Sequence, residues 1–394
     1  MGSTPNGAFP RRNPASRTVF SSILAHGPSS RGDVARRTGL SAASVTKSVR
    51  PLLAAGFLQE GDAAGGSVGR PVRELRVRPE AAWFAGVKVT GDEVVGTLTN
   101  LSGVALASGR LPLRSPRVRT VVSRISAAVR KLRDQAGGEL AAACVAVSGE
   151  VERDTGLVRF SPFLDWHDVP LAELVEASLG ISTVVENDVR ALTLAESTTG
   201  AGVGASVLVV VTIGTGIGCG IVVDGRVLSG AHGVVGELGH IPLGDPATPC
   251  YCGGHGCVEA VAADPAIVRR VSQATGVPLS TIAEAAELAR SGGPAAKVFA
   301  DAGATLGRAL ATVANLVGPD RIIVSGEGLA VYDLFAEHVR TAFVDQAYGS
   351  AVQCTMVLQP HSFEDWALGA AAVARDAFLR GRARDAVGAS RLSR

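Results

Sequence analysis

One histidine and three cysteines lie at metal-ligand spacing within eighteen residues, and no other feature constrains the fold of this chain as strongly. They are His240, Cys250, Cys252 and Cys257, in a stretch rich in glycine and proline. Zinc binds four nitrogen or sulfur ligands tetrahedrally, and a site filled by four protein ligands has no open position for a reactive water. The spacing therefore predicts a structural Zn²⁺ site. The alternative is a group of buried thiols or disulfides in a glycine-rich loop.

The other cysteines, Cys144, Cys219 and Cys354, each lie singly in an apolar, strand-like segment. Free cysteine behaves as a small apolar residue when it is buried. We therefore predict that these residues belong to the protein core and not to the metal site.

Two carboxylates flank the predicted zinc loop. Glu237 precedes His240 by three residues and Glu259 follows Cys257 by two, so a loop folded around zinc would bring both side chains together. Carboxylates and an imidazole in one small cleft suit a polyhydroxylated ligand, whose hydroxyls need directional acceptors. A sugar is the natural candidate. One ring nitrogen of His240 could hold the metal while the other donates to a ligand hydroxyl or to a supporting group.

Residues 239–259 resemble the signature of the ROK family, which comprises sugar kinases and sugar-responsive repressors, and the likeness extends over about residues 80–380. The resemblance implies an actin-like, two-lobed fold of the ribonuclease H-like type, with a ligand cleft between the lobes. It also implies a set of sugar-binding residues. These are Ser148, Gly149, Asn187, Asp188, Glu237, His240 and Glu259.

Asn187 and Asp188 stand where an apolar strand pattern gives way to a helical one. Asparagine and aspartate at a helix start accept hydrogen bonds from the first free N–H groups, so simple capping is the alternative to sugar binding. In a kinase of the family, Asp188 would accept the proton of the attacking sugar hydroxyl. In a repressor the same carboxylate would bind that hydroxyl, and Asp188 would be only a vestigial base.

Two segments bear on whether the chain transfers phosphate. Residues 214–220 form a glycine-rich hairpin that resembles the family's second phosphate loop, although alternating glycines are a weak signal. Lys88 and Thr90 stand where the family's kinases carry an acidic residue and the first glycine of the first phosphate loop. Phosphoryl transfer depends on positioning and metal-assisted charge stabilisation, so this change argues against an enzyme. Glu327, in a glycine turn that resembles the nucleotide-base edge, also replaces a small residue.

Residues 30–57 show two helical patterns around a turn at 38–41, which is typical of a helix-turn-helix. Ser30 and Ser41 are expected caps, with Asp33 three residues after the first and Gly39 in the turn. Pro51 predicts a kink or a new helix start. Two strand patterns joined by a glycine-rich loop follow and suggest a wing. The residues that we expect to contact DNA are Ser41, Ala42, Ser44, Thr46, Lys47 and Arg50 on the second helix and Arg70 in the wing.

Charge is distributed unevenly along the chain. Residues 1–80 contain 12 Lys and Arg against 5 Asp and Glu, a net charge of +7, and the remainder has a net charge of −5. A basic head on an acidic body predicts DNA contact confined to the head, and the alternative is a dimerisation arm. No apolar run reaches the roughly 18 residues of a membrane span, and the chain begins with no signal pattern, so we expect a cytoplasmic protein.

The sequence thus predicts an α/β protein with an N-terminal winged helix-turn-helix domain at 16–80 and a two-lobed domain at 81–381. Lobe 1 is expected at about 81–190 plus 365–381 and lobe 2 at about 191–364. Residues 1–15 and 382–394 are expected to be disordered.

We expect a non-enzymatic, sugar-responsive transcriptional regulator. It would most simply be a repressor that binds a double-stranded operator as a homodimer or tetramer and responds to a sugar or sugar phosphate. The alternatives are an ATP-dependent sugar kinase with a DNA-binding head, and a DNA-bound scaffold with a vestigial sensor.

Overall fold

The computed structural model describes residues 9–10, 13–64, 72–136, 138–230 and 233–381. Most of the predicted disordered N-terminus, all of the predicted disordered tail and Arg70 lie outside the described residues. The chain divides into two compact units. The first unit comprises Met1–Ala191 with Phe363–Arg394, and the second comprises Leu192–Ser362. None of the described helices is both long and apolar enough to cross a membrane.

The head contains three helices and a two-stranded antiparallel sheet, which begins at Leu58 immediately after the third helix. Ser30 forms a capping box with Asp33, Gly39 ends the second helix in the left-handed conformation, and the Ser41 hydroxyl accepts the Ser44 N–H at 3.2 Å. The predicted helix-turn-helix and its caps are therefore present. Its elements are α1 (Pro14–His26), α2 (Arg31–Thr38), α3 (Ala42–Ala54), β1 (Leu58–Ala64) and β2 (Val72–Val77).

The structure contradicts part of two expectations about the head. No new helix starts at Pro51, because α3 runs through it to Ala54. The proline has no N–H to donate to the preceding turn, but α3 continues for three more residues. The N-terminal residues 13–15 are not disordered, since Asn13 caps α1 and Pro14 occupies its first turn, a position that proline favours.

The sheet of the first unit has the order β10-β6-β3-β4-β5. β3, β6 and β10 are parallel, whereas β4 is antiparallel to β3 and β5 is antiparallel to β4. This is the strand order of a ribonuclease H-like fold. A smaller three-stranded sheet follows β6. The elements are β3 (Trp83–Val89), β4 (Glu93–Asn100), β5 (Ala105–Pro112), α4 (Val118–Arg133), β6 (Leu140–Val147), β7 (Glu150–Glu152), β8 (Leu157–Ser161), β9 (Trp166–Val169), α5 (Leu171–Leu179), β10 (Thr183–Asn187) and α6 (Asp188–Thr198).

The second unit repeats the same strand order, β13-β12-β11-β14-β15, with β11, β14 and β15 parallel. Its core lies between this sheet and the helices, of which α10 is the longest. Short 3-10 helices occur at Leu238–His240, Glu327–Leu334 and Gly349–Gln353. The elements are β11 (Val207–Ile213), β12 (Ile217–Val223), β13 (Arg226–Val227), α7 (Val258–Ala262), α8 (Asp264–Thr275), α9 (Ile282–Arg290), α10 (Gly293–Val317), β14 (Arg321–Ser325), α11 (Ala336–Gln346) and β15 (Thr355–Leu358).

The last helix, α12 (Phe363–Arg380), joins the sheet of the first unit to the head. An aromatic cluster forms this junction, with the Phe378 ring 5.5 Å from Phe84, 5.8 Å from Phe9 and 6.2 Å from Phe57. Phe9 also packs against Phe20 of α1 at 5.1 Å. Phe9 is buried, although it falls within the segment that we expected to be disordered.

Candidate functional site

The four predicted metal ligands converge in the second unit. The ligand atoms of His240, Cys250, Cys252 and Cys257 all lie within 4.8 Å of one another. The Cys250 sulfur is 3.8 Å from His240 Nδ1, and the Cys252 and Cys257 sulfurs are 3.7 Å apart. All six cysteines are free, so the disulfide alternative is not found. A Cys3His donor set converging on one point fits a tetrahedral zinc ion.

The backbone of the loop explains this convergence. The N–H groups of Cys250 and Gly253 donate to the carbonyls of Gly254 and Cys250, which folds the two middle ligands into a tight turn. An isolated bridge pairs Pro242 with Cys257 and brings the last ligand back beside the first. Burial and the neighbouring thiols raise the pKa of Cys257 to about 12. A cation would therefore be needed to hold the Cys257 thiol as a thiolate, whereas the Gly254 N–H already lowers the pKa of Cys252.

His240 has its two ring nitrogens in different surroundings. Nδ1 faces the cysteines, whereas Nε2 lies 3.4 Å from the Tyr251 hydroxyl. Tyr251 is thus the group that supports the second nitrogen, and the sequence analysis did not single it out. Cys144 and Cys219 are buried in strands as expected, but Cys354 is only half-buried and precedes β15. Cys354 packs against the core of the second unit without being fully buried, so it lies at the edge of the core.

Of the flanking carboxylates, Glu237 is exposed and Glu259 is half-buried in the first turn of α7. Glu259 Oε2 accepts the Ile217 N–H at 2.8 Å, which fixes this side chain against the start of β12. The His240 N–H donates to the Glu237 carbonyl at 3.0 Å. These three residues therefore form one neighbourhood with the metal ligands in the second unit.

The other predicted sugar-binding residues lie together in the first unit, at the carboxyl ends of its parallel strands. Ser148 follows β6, and Asn187 and Asp188 lie where β10 passes into α6. The Ser148 hydroxyl donates to Asp188 Oδ2 at 2.5 Å, and Asn187 Nδ2 donates to the Gly149 carbonyl at 3.0 Å. The carboxyl ends of parallel strands are where open α/β sheets bind ligands.

Asn187 also caps α6, because its Oδ1 accepts the Arg190 N–H at 3.1 Å. The capping alternative is therefore realised for this residue, which makes one contact with each end of its amide. Val189 donates its N–H to Asp188 Oδ1 at 2.9 Å, so the Asp188 carboxylate is held by both of its oxygens.

The sequence did not predict that Lys88 would be the partner of Asp188. The Lys88 ammonium forms a buried ion pair with Asp188 Oδ2, donates to the Ser148 hydroxyl at 3.3 Å and lies 5.0 Å from the ring centre of Trp366. The side chains of Lys88 and Asp188 are each only 6% exposed. A charged residue alternating with apolar ones in a strand was the available signal, since buried charges need a partner.

The electrostatics of this pair are set by two opposing effects. Burial would raise the pKa of the Asp188 carboxyl, but the Lys88 charge and the hydrogen bonds from Lys88 and Ser148 hold it below its usual value. A carboxylate with a lowered pKa is a weak proton acceptor at neutral pH. The geometry is therefore better suited to binding than to general-base catalysis.

In the head, the predicted DNA-contacting side chains of α3 lie on its accessible surface. Ser41, Ala42, Thr46, Lys47 and Arg50 are exposed and Ser44 is half-buried, whereas Val45, Val49 and Leu52 on the opposite face are fully buried. Several arginines of the head are paired with carboxylates, for example Arg31 with Glu60. Among the described residues, no ion-pair partner is found for Lys47 or Arg50.

Comparisons with known proteins agree with this architecture. The DNA-binding transcriptional dual regulator NagC of Escherichia coli K12 is 30% identical over 383 residues, which cover 93% of each chain. The crystal structure of a ROK family transcriptional regulator, a homologue of the E. coli Mlc protein, matches with a TM-score of 0.79 at 27% identity and covers 93% of this chain and 96% of that one. A glucokinase of Thermotoga maritima is 33% identical over 272 residues, 65% of this chain and 85% of the enzyme.

The match to the Mlc homologue includes the head, whereas the glucokinase match leaves about a third of this chain uncovered. The predicted fold class, a DNA-binding head followed by a sugar-kinase-like α/β domain, is confirmed. The family model described as "ROK family" matches residues 84–377. This chain therefore belongs to the ROK family.

Proposed function

We propose that this protein is a sugar-responsive DNA-binding transcriptional regulator, most simply a repressor, that performs no phosphoryl transfer. The observation that carries the proposal is the buried Lys88–Asp188 pair in a ROK domain that follows a helix-turn-helix head. The similarity to NagC and to the Mlc homologue over nearly the whole chain supports it. Such a regulator acts in the cytoplasm, where its operator DNA lies.

The head would place α3 in the major groove, because its exposed face carries small and basic side chains. Ser41, Ala42, Ser44, Thr46, Lys47, Arg50 and Arg70 remain the proposed contacts. The binding sequence can be selected from a random duplex library and its affinity measured by fluorescence anisotropy. Lys47→Ala should weaken binding and lower the slope of log affinity against log salt by about one if Lys47 contacts a phosphate. Lys131→Ala, at an exposed lysine of α4, is the matched control.

Sugar binding is proposed for both groups of residues described above, Ser148, Gly149, Asn187 and Asp188 in the first unit and Glu237, His240 and Glu259 in the second. The test is calorimetric titration with hexoses, pentoses, amino sugars and their 6-phosphates, followed by operator titration at saturating sugar. An effector should change operator affinity by about 5- to 150-fold, the usual range of coupling between sites. Sugar binding without any effect on DNA would favour the scaffold alternative.

The kinase alternative is favoured by the similarity to the glucokinase and by the presence of Asp188. The Lys88 ammonium opposes it. A carboxylate that is ion-paired and has a lowered pKa is a poor acceptor for the proton of a sugar hydroxyl. We expect no ADP release above background with any sugar of the panel in the presence of ATP and magnesium. Sugar-dependent ADP release would overturn the regulator proposal.

Zn²⁺ is the proposed occupant of the Cys3His cluster, with a structural role. Cys252→Ser should release one zinc per chain, measured by atomic emission, and should reduce the hydrogen-exchange protection of the loop and of α7. Cys354→Ser is the matched control, because Cys354 lies outside the cluster. Unchanged zinc content in Cys252→Ser would exclude Cys252 as a ligand.

A homo-oligomer, either dimer or tetramer, is proposed because one head per chain needs a second copy to read a palindromic operator. Light scattering of the protein alone and on DNA measures the number of copies. A monomer on DNA would contradict this part of the proposal.

A further inference from the structure

The turn of the β11–β12 hairpin in the second unit, at residues 214–216, resembles a phosphate loop, but the protein's own carboxylates accept its hydrogen bonds. Glu327 Oε1 accepts from the Thr215 N–H at 3.3 Å and from the Thr215 hydroxyl at 3.1 Å. At the other end of the turn, Glu259 Oε2 accepts the Ile217 N–H at 2.8 Å. Backbone N–H groups that could converge on phosphate oxygens are thus directed at carboxylate oxygens.

The Glu327 side chain lies directly against the turn. A Cβ added at Gly214 would stand 2.5 Å from the Glu327 carboxyl carbon, so the absence of a side chain at Gly214 is what allows this close approach. Glu327 follows β14, the parallel neighbour of β11, and this topology brings the carboxylate to the turn. Glu327 and Thr215 are both exposed to solvent, and the pairing of β11 with β14 brings them together.

A second carboxyl group adds to the negative charge at the turn. Asp264 donates its N–H to the Gly214 carbonyl at 2.8 Å, and burial together with the Glu327 charge raises the pKa of its carboxyl to about 6. The influence of Glu327 on Asp264 indicates that the two carboxyls are close enough to interact. A phosphate group entering this turn would meet like charge as well as an occupied set of donors.

We propose that Glu327 is a specificity-determining residue that occupies the place of a phosphate at the turn of residues 214–216 and so excludes phosphate-bearing ligands, nucleoside triphosphates in particular, from the second unit. The inference deepens the proposed function and rests on it, because a regulator that responds to a sugar alone must not bind a nucleotide at this turn. It assigns the exclusion to one side chain.

The test is calorimetric titration of the full-length wild-type protein, Glu327→Ala and Glu327→Gln with inorganic pyrophosphate. The wild type should show no saturable binding at millimolar concentration. Glu327→Ala, which removes both the charge and the competing acceptor, should bind at least about tenfold more tightly. Glu327→Gln still fills the turn but lacks the charge, so it should show a smaller gain. Glu287→Ala is the matched control, at an exposed glutamate of α9, and should behave as the wild type.

Saturable pyrophosphate binding by the wild type would overturn the proposal. So would the absence of a gain in folded Glu327→Ala; if that variant does not fold, the absence of a gain in Glu327→Gln is decisive instead. Because the titration uses neither DNA nor sugar, its failure is separate from a failure of the proposed function, which would show as an operator affinity that no sugar changes.

Discussion

The two sheets of this protein share one strand order, yet their carboxyl edges are closed by different chemistry. In the first unit, Lys88 of the first strand forms an ion pair with Asp188 after the last strand, and both side chains are buried. In the second unit, a carboxylate lies at the turn after the first strand, where Glu327 accepts hydrogen bonds from Thr215. At the first edge, the lysine neutralises the charge of the aspartate. At the second edge, a glutamate places its negative charge in the turn.

In the regulator proposed above, a separate side chain in each unit opposes phosphoryl transfer. A kinase needs a free base and an open phosphate loop, which are requirements on separate parts of the chain. In the proposed regulator, the Lys88 ammonium pairs with the carboxylate that would serve as the base, and the Glu327 carboxylate occupies the turn that would bind phosphate. Restoring one edge alone should therefore not restore phosphoryl transfer. Breaking each edge in turn tests how independent the two are.

The largest effect is expected from Lys88→Met. Removal of the ammonium leaves the Asp188 carboxylate buried with fewer partners, which should lower the free energy of unfolding by about 3–5 kcal/mol. The three tryptophans, Trp83, Trp166 and Trp366, all lie in the first unit, so urea unfolding followed by tryptophan fluorescence reports on that unit.

The matched control is the double variant Lys88→Met/Asp188→Asn, in which the unpaired charge is removed as well. It should recover most of the lost stability, since replacement of both partners of a buried pair is often close to neutral. If the double variant were as unstable as the single one, the loss would come from packing against Trp366 and not from the unpaired carboxylate.

Local features of this fold were predictable and long-range ones were not. The spacing of His240 and the three cysteines predicted their convergence, because a short glycine-rich loop has few ways to close. Ser30 and Ser41 were predictable as caps because a cap is a local hydrogen bond between a side chain and an N–H three residues later. Lys88 and Asp188 are 100 positions apart, and Phe9 meets a helix at the other end of the chain. Those contacts depend on sheet topology, which a single charge or ring in the sequence does not specify.

A somewhat smaller loss of stability is expected from Phe378→Ala. This change tests whether α12, which packs on both the first sheet and the head, stabilises the two together. Loss of a buried phenylalanine in the aromatic cluster should cost about 3 kcal/mol. Hydrogen exchange should show lost protection in α1, whose Phe20 packs on Phe9. Phe163→Ala is the control, since Phe163 is 45% exposed in the same unit. Unchanged exchange in α1 would mean that the head is held by other contacts.

The smallest effect concerns pH and the second unit. The pKa of Asp264 is about 6 against an ordinary value of 3.8, because the carboxyl is buried and lies near Glu327. The native state therefore holds this proton in a pH range where the unfolded chain has lost it, and the stability it contributes is full below about pH 4 and is lost as the pH rises through 6. Asp264→Asn should shrink the difference in unfolding free energy between pH 5 and pH 7 by about 1–2 kcal/mol.

Hydrogen exchange of α8 at the two pH values measures this difference within the second unit, and Asp345→Asn, at an exposed aspartate of α11, is the control. Glu327→Gln gives an independent check on the cause. Since the Glu327 charge raises the pKa of Asp264, removing it should lower that pKa and reduce the pH effect in the same direction as Asp264→Asn, but by less, because burial is the larger cause. An unchanged pH effect in Glu327→Gln would mean that burial alone perturbs Asp264, and that the two carboxyls at the turn do not interact.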